Sequence, residues 1–124
     1  MKKSLFVLFV VLGLTSSLVA KEYTCTRIEV YDVDKNKVVK KFNKYEAEKI
    51  QIVFKDSKLY TKENKQLEII AYKTTSSKEN GEEVEYYERK IGIIPFMKVK
   101  WIPSKKNLKV GIIGLSEIDV YRCE

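Results

Sequence analysis

The chain has 124 residues, 24 Lys and Arg against 17 Asp and Glu, a formal charge of +7 and no histidine. That length suits one domain, and without histidine the commonest general base and metal ligand are missing. Its two cysteines form no Cys-x-x-C pair, which argues against a redox centre.

Residues 1–20, MKKSLFVLFVVLGLTSSLVA, put two lysines before an apolar run and end on small residues. This is the pattern of a cleavable export signal. Gly13, Thr15, Ser16 and Ser17 interrupt the run, so it does not read as a membrane anchor. The reading predicts one domain over 21–124, periplasmic or secreted. Export argues against a nucleic-acid partner. It leaves phospholipid heads, anionic glycans and acidic envelope proteins as counterparts for a positive surface.

The first strand is expected at 23–32, with Ile28 and Val30 on one face and Arg27, Glu29 and Tyr31 on the other. Asp34, Lys35 and Asn36 supply a turn, and 37–42 a short second strand. Residues 43–48 hold the one helical turn the pattern allows, with Asn43 as cap and Glu46 three residues on. Ile50, Ile52 and Phe54 alternate in the next strand, which turns at Asp56–Ser57 and continues over 58–61. After a turn at 63–65, a strand over 66–75 places Leu67, Ile69 and Ala71 on one face. Asn80-Gly81 favours a tight hairpin turn, because both residues accept positive φ. Its return strand, 83–90, is rich in Tyr and Glu.

Residues 91–102 are β-branched and contain Gly92 and Pro95, which oppose a helix. Two strands kinked at Pro95, or one edge strand bent there, are expected. A turn at 103–107 leads to a strand over 108–115, and 117–123 is the last strand. Some eight or nine short strands with regular turns predict an all-β fold, a small closed antiparallel barrel first and a compact sandwich second. Cys25 lies on the first strand and Cys123 on the last. A disulfide between them needs Cα atoms within about 7 Å, which brings the outermost strands together and closes a meander. The layout resembles, in architecture alone, small exported barrels of the lipocalin and calycin type, although their early Gly-x-Trp is missing. The resemblance implies a barrel able to hold a small molecule.

Chemistry-bearing motifs are sparse. Asp32 and Asp34 look like a fragment of a calcium loop, but Lys35 and Lys37 follow, so no metal or cofactor is expected. Glu79, Glu82, Glu83, Glu85 and Glu88 form the one acidic concentration. They read as a solvated strand face, with a weak hydrolase using Glu83 and Glu85 as a distant alternative. Tyr86 and Tyr87 are consecutive, so one points inward and the other outward. Phe54, Tyr72, Tyr86, Phe96 and Trp101 are the candidate lining of a ligand cavity, with plain core packing as the alternative. Lys98, Lys100, Lys105, Lys106 and Lys109 lie in a stretch without an acid and are the candidate contact with an anionic membrane or glycan. The expected function is a non-enzymatic exported protein holding a small apolar or amphipathic ligand. The alternative is a module that binds or inhibits an envelope protein through a strand edge or the basic face.

Overall fold

The computed structural model describes residues 20–124; the export signal read over 1–20 falls, Ala20 apart, outside the described residues. Nine strands follow in chain order: β1 (Lys21–Asp32), β2 (Lys37–Lys41), β3 (Lys49–Lys55), β4 (Lys58–Glu63), β5 (Gln66–Glu79), β6 (Glu82–Ile91), β7 (Ile94–Ile102), β8 (Asn107–Ile112) and β9 (Glu117–Cys123). All pairings are antiparallel, in the order β2-β1-β3-β4-β5-β6-β7-β8-β9, and β1 also pairs with β9. Eight strands therefore close into a barrel and β2 is an addition outside the ring. A sandwich, the second expectation, is ruled out because one sheet returns on itself.

The extra strand has a local cause. One edge of β1 pairs with β3 over Lys21–Thr26 and with β2 over Glu29–Asp32. Residues 42–48 leave the ladder between these two pieces and return to it, held by Phe42 N–H to the Ile28 carbonyl and Arg27 N–H to the Glu48 carbonyl. The excursion contains the expected cap: the Asn43 Oδ1 accepts from the backbone N–H groups of Tyr45 and Glu46. It makes a single turn and no helix.

Closure is completed on the other edge of β1. Cys25 and Cys123 are register partners on β1 and β9, joined by a disulfide with Cα atoms 4.0 Å apart. The next pair, Thr24 and Glu124, exchanges both backbone hydrogen bonds. The cysteines thus occupy a non-hydrogen-bonded position, where side chains approach most closely. Both are buried, and Ile52, Leu59, Ala71, Val99, Leu108 and Tyr121 share the core with them.

Turn chemistry follows the sequence closely. Asn80 and Gly81 both have positive φ and join Glu79 to Glu82 in a two-residue loop. One expectation fails: the break in 91–102 falls at Gly92–Ile93, a tight turn between the partners Ile91 and Ile94. Gly92 supplies the positive φ there. Pro95 stays inside β7, next to a register shift, where a residue lacking an N–H is tolerated. Similarly, β8 ends at Ile112 because Gly114, also at positive φ, belongs to the following turn.

Register shifts at Ile28, Ile70, Thr74 and Phe96 each insert one extra residue. Such bulges bend strands and serve as the corners of a barrel. Each also reverses the side-chain alternation that follows. Arg27 pairs with Tyr121 and Glu29 with Val120, so Arg27 and Glu29 lie on opposite faces of β1, against the expectation that they share one.

The strands alternate in direction and give the barrel two unlike ends. One carries Lys21, Glu124 and the turns at 55–58, 79–82 and 102–107. The other carries the turns at 32–37, 63–66, 91–94 and 112–117. At this second end the turns at 32–37 and 63–66 are polar, whereas the other two tips are apolar and exposed: Ile93 is 91% accessible, and Ile91, Ile94 and Leu115 are each about two-thirds accessible. The two isoleucine-rich tips adjoin, with the Ile113 N–H donating to the Phe96 carbonyl at 2.8 Å.

Candidate functional site

The first end is a mouth. Side chains of one face of β6, Glu83, Glu85 and Tyr87, point into the barrel together with Trp101, the register partner of Glu85. Lys73 of β5 is the partner of Tyr87 and points the same way. With Tyr23, Phe54 and the β3–β4 turn they line an open pocket of about 340 Å³.

Four aromatic rings form its floor. Trp101 lies 5.0 Å from Tyr23 and 4.8 Å from Phe54, and Phe54 lies 5.4 Å from Tyr87, centroid to centroid. These separations and tilted geometries lie in the range of favourable aromatic pairs. Trp101 and Tyr87 are almost fully buried, while Tyr23 and Phe54 keep part of their surface open. The walls are charged. Tyr87 donates its hydroxyl hydrogen to Glu85 Oε1 at 2.8 Å, and Lys73 Nζ stands 3.2 Å from the same oxygen. Lys21, Lys55, Asp56 and Glu83 stand around the opening. Flat apolar surface below and charges of both signs above suit a small molecule with an aromatic or aliphatic body and a polar end.

Two buried phenols have pKa values above the ordinary tyrosine value. Burial, then the hydrogen bond to Glu85, pushes Tyr87 up; burial, then the carboxylates of Glu48 and Asp119, pushes Tyr121 up to about 12. The folded state holds the neutral phenols, whereas the unfolded chain ionises them near pH 10. Stability is therefore intact below pH 10 and falls as pH rises from there towards 12 and beyond. Tyr121→Phe and Tyr87→Phe should each flatten that fall. Urea midpoints measured from pH 9 to pH 12 check it.

The five aromatic candidates divide between places. Phe54 and Trp101 meet in the mouth. Tyr72 is 53% exposed and lines a separate cleft of about 640 Å³, where β5 and β6 splay apart below the pair Tyr72–Glu88. Tyr86 lies outside the barrel, donating to Glu79, beside Lys100. Those two partners hold the Glu79 carboxyl below its usual range. Phe96 is the bulge residue of β7 and packs under the Arg89 guanidinium. Of the tyrosine pair it is Tyr87 that points inward. Tyr23 and Tyr87 complete the floor and are absent from the sequence-based set. Their alternation with Cys25 and Glu85 was the available signal.

The five lysine candidates also divide. Lys98, Lys100 and Lys109 lie on the outer face of β7 and β8, with Lys100 and Lys109 as direct partners. Lys105 and Lys106 lie in the turn at the mouth end. Lys100 is paired with Glu79 at 3.1 Å and Lys105 with Glu82 at 3.6 Å, so acids of the β5–β6 hairpin answer part of the basic stretch. Asp32 accepts from the Lys35 N–H at 3.0 Å, which accounts for the loop of Asp32 and Asp34 as a capped turn. Among the described residues no cluster of three or more Cys, Asp or Glu side chains is placed to hold a metal ion.

The chain matches no protein-family model, no curated protein and no solved structure.

Proposed function

We propose that the protein is an exported, non-enzymatic binding protein that holds a small amphipathic molecule at the barrel mouth. The aromatic floor of Tyr23, Phe54, Tyr87 and Trp101 under a charged rim carries this reading. The barrel centre is occupied by the disulfide and packed aliphatic side chains, so the ligand rests in the opening and not deep inside. This favours an amphipathic ligand over a wholly apolar one. Glu85 is engaged by Tyr87 and Lys73, which supports a binding role for the acidic strand over hydrolysis. Export is supported by residues 1–20 and by the buried disulfide, which needs an oxidising compartment to form.

Native mass spectrometry of protein purified from its own host should reveal a retained small molecule. Trp101 is the single tryptophan, so its fluorescence reports directly on the floor. Titration with an anilinonaphthalene sulfonate probe should quench it, and Tyr23→Ala should weaken that quenching at least tenfold. No retained mass, together with quenching that is absent or indifferent to Tyr23→Ala, would overturn the proposal.

A further inference from the structure

The strand outside the ring has one edge with nothing on it. Among the described residues β2 pairs with β1 alone, and all five of its residues are exposed. Its outer row of backbone N–H and C=O groups is therefore open, as on any sheet edge. Around it, Lys35, Lys37, Lys40, Lys41 and Lys44 fall within 35–45, a stretch that contains no acid. It is the denser of the chain's two acid-free lysine runs. Unlike Lys100 and Lys105, none of these five is in an ion pair among the described residues. Lys40 and Lys44 instead lie over the rings of Phe42 and Tyr45, and Tyr45 is 86% exposed. Val38 and Val39 present apolar surface between the charges, at 37% and 39% exposure.

These features select one kind of occupant. A second copy of β2 would set lysine against lysine, so the edge rejects its own kind. A bilayer offers no backbone partner to the open row. An extended acidic segment satisfies both: its amides complete the ladder and its carboxylates meet the unpaired lysines. We propose that β2 receives an extended, acidic segment of a partner protein as an added strand.

The test uses a fluorescent peptide alternating Glu with Val or Thr and the intact protein. The peptide should bind, and amide hydrogen exchange should slow in Lys37–Lys41. The reversal Lys37→Glu, Lys40→Glu, Lys41→Glu should weaken binding at least tenfold. All three residues are exposed, so the circular dichroism spectrum should be unchanged. N-methylation of alternate peptide amides keeps the charge and removes the hydrogen bonds, and it should weaken binding by a similar factor. Equal binding of the methylated peptide would mean charge attraction only and would overturn strand addition. So would absent binding, exchange protection elsewhere than β2, or capture by vesicles containing anionic phosphatidylglycerol in place of the peptide.

Discussion

Replacing both cysteines, as Cys25→Ala with Cys123→Ala, should lower the unfolding free energy by about 4 kcal/mol and the melting temperature by roughly 15–30 °C. The bond encloses a loop of 98 residues in sequence separation, almost the whole domain. Chain entropy lost by the denatured state grows with the logarithm of loop length and reaches about 4.7 kcal/mol near 100 residues. Small domains have only about 5–15 kcal/mol in total. The location adds to the effect. The pair sits on the seam between β1 and β9, the contact that joins the two ends of the meander. Without the bond, closing that seam costs the full loop entropy, so refolding should slow as well. Thermal melts and stopped-flow refolding of oxidised and double-alanine protein check both effects. Both sulfurs are buried. Reductant should therefore cleave the bond in native buffer only as fast as the barrel opens, and much faster in denaturant.

Trp101→Ala should cost about 3–5 kcal/mol and abolish probe binding at the mouth. Trp101 is 2% exposed and touches the rings of Tyr23 and Phe54. Truncation removes the largest side chain of the chain and leaves a hollow that rigid neighbouring strands cannot refill. Trp101→Phe keeps much of the volume and should recover more than half of the loss. Because the tryptophan signal disappears with the mutation, urea curves followed by circular dichroism are the appropriate readout. An unchanged m-value would locate the loss in stability and not in a changed denatured ensemble.

Strand positions were legible because turn residues are chemically distinctive. Asn80-Gly81 announced its hairpin, and alternation at Ile50, Ile52 and Phe54 announced an inward face. Closure was legible from two cysteines at the ends of the meander. What eluded the sequence was register. A bulge adds one residue with no compositional mark, and everything after it changes face. The five aromatics were grouped by composition, and plain alternation already parts them: Phe96 lies five residues from Trp101 on β7, and Tyr72 sits between the inward Ala71 and Lys73, so neither reaches the mouth. Pro95 misled for a related reason, since proline punctuates strands only where its missing N–H would be needed. The lysines of 98–109 were conspicuous, yet partners distant in sequence, Glu79 and Glu82, reach two of them. Among the described residues the run around β2 has no such partners. The edge beside it has no partner among the described residues, which only topology reveals.

The isoleucine tips and the charged mouth stand at opposite poles of one rigid cylinder. A molecule held in the mouth therefore leaves these tips uncovered, so occupancy of one end and accessibility of the other can be read independently on the same protein.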